Sequence, residues 1–249
     1  MRMIASFVVL FLSVSTVHAQ PQTALKTVLD GVYSDVQATR GKDSYTAVCS
    51  RCHGDALEGV SAPSLTDKRF IERWREGTLE SIYNFIRQNM PPGRQGNSGP
   101  ITDSNYLDIL TYILSANGYR ASANELTPAL ATTVMFVGKN GPEPVPDGSL
   151  VVTVGCLSQA GDNVWTLSSA TEPIRTRSST TSNATELKAS SEKALGALAF
   201  RLTDFEAIPG FEPADHKGHK LQAKGYLVRQ PNAERISLSS IEMLDPVCH

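Results

Sequence analysis

This chain has no excess of positive charge. Lys plus Arg number 23 against 25 Asp plus Glu, a net charge of −2. A protein that binds nucleic acid or an anionic membrane surface through charge needs the reverse balance. After residue 19 no apolar run approaches the roughly 20 residues of a membrane-spanning helix, which leaves no candidate for a later span. No internal repeat is present. Histidine is scarce at five residues. Between residues 20 and 126 it occurs only as His53, so this half of the chain has no pair of imidazoles for acid–base catalysis. Cysteine is scarcer still, at four, yet two of the four and one histidine fall within Cys49-Ser50-Arg51-Cys52-His53.

The first residues read as an export signal. Arg2 supplies the positive start, and Met3 to Val14 is apolar except for Ser6 and Ser13. Val17-His18-Ala19 places small residues where a signal peptidase reads, so residues 1–19 are expected to be cleaved after Ala19. An uncleaved anchor is the alternative, but the run is short for a span. Export places the mature protein in the periplasm or outside the cell, where disulfides persist, and Cys156 and Cys248 can then pair. The alternative for them is two unpaired buried thiols.

Pro128, Pro142, Pro144 and Pro146, with Gly138, Gly141 and Gly148, predict a linker over residues 127–148 that holds neither helix nor central strand. Before it, residues 20–126 read as helical. A first helix runs from Ala38 to Cys49. Thr78 can cap a second, whose stripe is Leu79, Ile82, Tyr83, Phe85 and Ile86 and which must stop before Pro91-Pro92. Asp103 or Ser104 can cap a third, with Leu107, Leu110, Ile113 and Leu114 as its stripe and Gly118 at its end.

Residues 149–249 read as strands: Leu150 to Leu157, Asn163 to Leu167, Leu198 to Leu202, Leu221 to Val228 and Ile236 to Met243. A short helix-like piece, Phe211 to Lys217, precedes the fourth. The Ser/Thr-rich run Thr176 to Ser191 reads as a long exposed loop. His216, Lys217, His219 and Lys220 form a local basic patch, expected to be solvated surface. The fold class expected is α + β in two domains, helices followed by a small five-stranded OB-like barrel.

Three chemistries use a Cys-x-x-Cys pair. A structural zinc site needs four ligands; Cys49 and Cys52 supply two, His18 leaves with the signal, and His216 and His219 lie in the other half. A thiol–disulfide site wants a βαβ context, and the surroundings here are helical. Covalent haem attachment fits: two thiols form thioethers with the porphyrin vinyl groups while the adjacent imidazole reaches the iron. The second axial ligand should come from beyond an intervening helix. Met90 in Asn89-Met90-Pro91-Pro92-Gly93 meets that need, although a methionine is more commonly core filler.

Residues 38–120 resemble the class I c-type cytochromes, above all the small bacterial domains that occur alone or fused to periplasmic dehydrogenases. Gly41 and Tyr45 match the small and aromatic positions of the family's first helix, and Ile109 and Tyr112 match those that cross them on its last. The resemblance implies one covalent haem c, bound through Cys49 and Cys52, with His53 and Met90 on the iron. It implies that the Pro63 carbonyl accepts the Nδ1–H of His53, and that Trp74 and Phe70 pack the haem pocket. For Pro63 the alternative is a plain loop turn, and for Trp74 a core position remote from the haem.

The function implied is one-electron transfer rather than enzymatic turnover. The partner would be a redox protein, a quinoprotein dehydrogenase or a terminal oxidase. One rival is a haem sensor or peroxidase-like protein in which Met90 is labile. The other is a binding protein whose barrel recognises the partner.

Overall fold

The structure, a computed structural model, describes residues 26–92, 101–230 and 233–249. The expected export segment and Gly93 lie outside these residues. The first half is helical. Helix α1 (Asp35–Val48) starts where the Ser34 hydroxyl accepts the Gln37 N–H, a side-chain cap for an otherwise unpaired donor. It is followed by α2 (Ser50–His53) and α3 (Lys68–Trp74). Thr78 caps α4 (Leu79–Asn89), which ends at Met90, before the prolines, as the pattern requires. Helix α5 (Asp103–Ala116) is capped one residue earlier than expected, by Thr102, whose side chain and that of Asn105 bond reciprocally to backbone N–H groups. Its C-cap is Asn117, and Gly118 follows with φ +71° as expected, its N–H donated to the Ser115 carbonyl and that of Tyr119 to the Leu114 carbonyl.

The segment expected as a linker is corrected in part. Residues 127–148 contain a helical turn α6 (Pro128–Ala131), whose proline sits in the first turn where its missing N–H costs nothing. Ala131, Val134, Met135, Phe136 and Val137 are all buried in the core of the helical half, whereas Val145 belongs to the core of the strand half. Proline and glycine mark breaks in regular structure; they do not mark exposure.

The sheet has eight strands, which corrects the expectation of a five-stranded barrel. In chain order they are β1 (Gly77–Thr78), β2 (Met135–Phe136), β3 (Leu150–Gln159), β4 (Trp165–Ala170), β5 (Ile174–Arg175), β6 (Leu198–Thr203), β7 (Lys220–Gln230) and β8 (Ala233–Asp245). The five longer strands fall where the alternating pattern put them. The order is β2-β1-β5-β3-β4-β6-β8-β7, with β3 also paired to β7 and with β6 and β8 parallel. The three two-residue strands carry the sheet into the helical half: β1 pairs antiparallel with β2 and parallel with β5. The helix-like piece before β7 is a 3-10 turn, Pro213–His216. Among the described residues no helix is long and apolar enough to cross a membrane.

The Ser/Thr-rich run is also corrected. It holds a helix, α7 (Ala184–Ser191), capped by Asn183, and it covers one face of β7. Lys220, Gln222 and Lys224 alternate along that face and are nearly inaccessible. Lys224 meets Glu186, Gln222 accepts the Ser190 hydroxyl at 2.5 Å, and Lys220 donates to the carbonyls of Ser191 and Lys193. The expected basic patch therefore does not form as one surface, because its Lys220 is buried. Cys156 on β3 is bonded to Cys248, with Cα atoms 5.6 Å apart, within ordinary disulfide geometry.

Candidate haem site

The site is built on the crossing of α1 and α5. Gly41 faces the α5 backbone so closely that a Cβ there would stand 1.9 Å from the Asp108 carbonyl oxygen and 3.1 Å from the Ile109 nitrogen. Four residues on, Tyr45 is fully buried, packs against Tyr112 at 5.2 Å between ring centres, and donates its hydroxyl to the Gly54 carbonyl at 2.7 Å. This bond fixes the end of α2, and with it the placement of Cys49, Cys52 and His53.

The loop after α2 folds back on the motif. The Cys52 carbonyl accepts N–H groups from Val60, Ser61 and Ala62, and the His53 carbonyl accepts that of Gly59 at 2.7 Å. Gly59 has φ +87° and its Cβ position would lie 2.6 Å from the Ser64 nitrogen, so the return needs glycine there. It delivers Pro63 to the imidazole: His53 Nδ1 lies 2.7 Å from the Pro63 carbonyl oxygen. A carbonyl only accepts, so Nδ1 carries the proton and Nε2 is left with a free lone pair. Such a bond holds the ring in one orientation and makes it a better donor to a metal.

Cys49 is half-buried and Cys52 exposed, and both are free thiols. Burial, and then the neighbouring Cys52, pushes the Cys49 thiol up to about 11. A thiol so hard to ionise is poorly suited to thiol–disulfide exchange. Among the described residues no three His, Cys, Asp or Glu side chains converge as a metal site. The two thiols and the imidazole therefore do not share one small ion. Bonds to the rim and the centre of a porphyrin do not require them to converge, so this donor set fits a covalent haem.

Met90 stands at the C-terminal end of α4, its N–H donated to Ile86 and its carbonyl accepting the Tyr106 hydroxyl at 2.7 Å. Tyr106 lies in the first turn of α5, so the methionine end of α4 is tied to the helix that crosses α1. Trp74 is 5% exposed and meets Phe85 of α4 edge-on at 5.2 Å. Phe70 instead packs on Phe136 of β2, in the helical core. Arg73 and Arg177, neither singled out from the sequence, both place guanidinium groups over the Trp74 ring. Their long separation in the chain hid the pair.

Helices crossing at a glycine, a Cys-x-x-Cys-His turn and a histidine held by a loop carbonyl fit the pattern of a c-type cytochrome domain. Residues 36–113 match the family model described as cytochrome c oxidase, cbb3-type, subunit III. The chain is also similar to cytochrome c-551 of Bacillus subtilis (strain 168), at 38% identity over 63 residues, which are 25% of this chain and 54% of that protein. It thus spans about half the length of that curated relative. No solved structure matches the chain. The family match falls on the helical half, and the two matches together support a c-type cytochrome domain.

Proposed function

We propose that the chain is a one-electron carrier holding a single covalent haem c, with His53 and Met90 as axial ligands, and that it works in the periplasm or outside the cell. The observation that carries this reading is the His53–Pro63 hydrogen bond of 2.7 Å within the Cys49–His53 motif: it leaves Nε2 free to bind iron beside two thiols that can be alkylated. When bound, the haem supplies the Fe(III)/Fe(II) couple, and histidine with methionine favours a high potential. The chain's own residues do the rest. Pro63 orients the imidazole, Tyr106 holds the backbone of Met90, and Gly41 and Tyr45 lock α1 against α5, the helix that carries Tyr106. Cys52, exposed at the motif, lies where a partner can approach through a small, transient interface.

The partner proposed is a redox protein, a quinoprotein dehydrogenase or a terminal oxidase; the matching family's description, an oxidase subunit, favours the second. The five longer strands, β3, β4, β6, β8 and β7, are read as one module, for which no ligand is assigned. Residues 20–126 are read as the haem domain and 149–249 as that module.

The test is expression in a host with cytochrome c maturation. The purified protein is expected to retain haem through acid–acetone extraction, one per chain. Haem that extracts freely, or stoichiometric zinc in its place, ends this reading.

A further inference from the structure

Two imidazoles meet at the end of the strand half that carries the disulfide. His216 closes the 3-10 turn Pro213–His216, and His219 stands directly before β7. Their Nδ1 atoms lie 3.3 Å apart, whereas the ring centres are 5.3 Å apart and the ring planes meet at 84°. The two nitrogens are thus the parts of the rings that face each other. Both residues are half-buried.

The turn that carries them is tied on both sides. His219 donates its N–H to the His216 carbonyl at 3.0 Å, and Gly218, at φ +86°, donates its own to the Leu157 carbonyl at 2.8 Å. The His219 carbonyl accepts the Leu157 N–H at 3.1 Å, and the Gly218 carbonyl accepts that of Cys248 at 3.0 Å. Leu157 follows Cys156, which is bonded to Cys248, so backbone at both ends of the disulfide grips the turn. The rings are held as well. Phe211 stacks on His216 at 4.5 Å and 7°, and Phe205 stacks on Phe211. Both phenylalanines pack against the core of the strand half.

The simpler use of such a pair is a hydrogen bond from one ring to the other. At most one of two facing nitrogens can then carry a proton, so at least one Nδ1 presents a lone pair. The spacing points further. It is long beside the 2.9–3.0 Å or so at which N–H donors most commonly bond. Zinc binds imidazole nitrogen at about 2.0–2.1 Å in a tetrahedral array, which sets two ligand nitrogens about 3.3–3.4 Å apart. Neighbouring positions on a square-planar ion would bring them to about 2.9 Å. The observed 3.3 Å is the tetrahedral span.

We propose that His216 and His219 form a two-histidine site for one zinc ion. The metal takes the place of the proton between the rings. That proton moves to Nε2 of the same ring, and both imidazoles remain neutral ligands. Among the described residues no third His, Cys, Asp or Glu converges with them, so water completes the tetrahedron. A site with two open positions exchanges its metal more readily than a closed structural centre of four protein ligands. It lies in the strand half, apart from the Cys49–His53 motif, so zinc is expected beside the haem and not in its place.

The test titrates Zn2+ alone into the full chain by calorimetry, with Cys49 and Cys52 in thioether linkage or alkylated so that neither holds metal. One zinc per chain is expected. His216→Gln and His219→Gln should each weaken binding at least about tenfold, the loss that even an outer partner of a metal ligand brings. Lys217→Ala, in the same turn, should leave it unchanged. Absence of binding overturns the proposal. So does equal binding in the unsubstituted protein and both glutamine variants, which includes zinc held near the chain end by His249. Should the variants not fold, the ring-nitrogen NMR spectrum of the unsubstituted, reduced protein decides. Zinc is expected to shift Nδ1 of both histidines; a shift at Nε2, or on one ring only, overturns the proposal equally.

Discussion

A Cβ on Gly41 would stand 1.9 Å from the carbonyl oxygen of Asp108. The obstacle is backbone, so relief requires α1 and α5 to part, taking with them the Tyr45–Gly54 bond that steadies the motif. Gly41→Ala is expected to destabilise the protein by about 3 kcal/mol, measured by urea denaturation. A loss under about 0.5 kcal/mol, the ordinary scatter of surface substitutions, would show that the crossing is looser than described.

Met90 is expected to show itself in the spectrum. The oxidised protein should carry the weak red absorption of an iron–methionine bond, and the reduced protein should bind carbon monoxide slowly. Met90→Ala should lose the first and bind the gas fast. Tyr106→Phe removes the hydroxyl that holds the Met90 carbonyl at 2.7 Å; it should cost about 1 kcal/mol and speed binding by less. Rapid, complete binding to the unsubstituted protein would displace the carrier in favour of a ligand-sensing or peroxidase-like role.

The Cys156–Cys248 bond closes a loop with a sequence separation of 92 residues and ties the first long strand to the segment after the last. Chain entropy puts the loss on replacing both by alanine at about 3–5 kcal/mol. Non-reducing peptide mapping should recover the cross-link from exported protein. Two freely alkylated thiols there would be the contrary result.

Glu76 gives a pH dependence. It is 3% exposed, accepts the Glu143 N–H at 3.0 Å, and lies near the Arg75 and Arg175 cations. Burial outweighs these and raises its carboxyl above the ordinary value. Between the unfolded and the raised folded value the folded state holds more protons, so stability falls as pH rises through that window. Glu76→Gln keeps an oxygen for the Glu143 N–H and removes the charge. Its stability relative to the unsubstituted protein should be higher at pH 7 than at pH 4, by denaturant titration. An equal difference at both would refute the assignment.

The Cys-x-x-Cys-His motif was legible because it is local: Cys49, Cys52 and His53 sit on one short turn, and Met90 is marked by the prolines that stop its helix. The Gly41–Tyr45 and Ile109–Tyr112 pairs were legible through resemblance, and the crossing they predicted is present. The long strands announced themselves by alternation. What sequence could not give was the use of the intervening segments. Ala131 to Val137 has a core residue's composition, but the prolines around it suggested a tether. Thr176 to Ser191 looked solvated because its partners, Lys220, Gln222 and Lys224, are themselves polar, and a buried polar ladder leaves no hydrophobic period. Glu76 has φ +62°, a conformation that usually signals glycine or asparagine, and nothing in its neighbourhood forecast it.

The two-residue strand β1 has a neighbour on each side, Met135–Phe136 from the segment after the helices and Arg175 from the strand half. The register is therefore shared property of three distant stretches of chain. Exchange of the helical half for another helical domain would leave Arg175 and Phe136 without their partner backbone unless the newcomer carried the same short strand, in the same phase, just before its fourth helix.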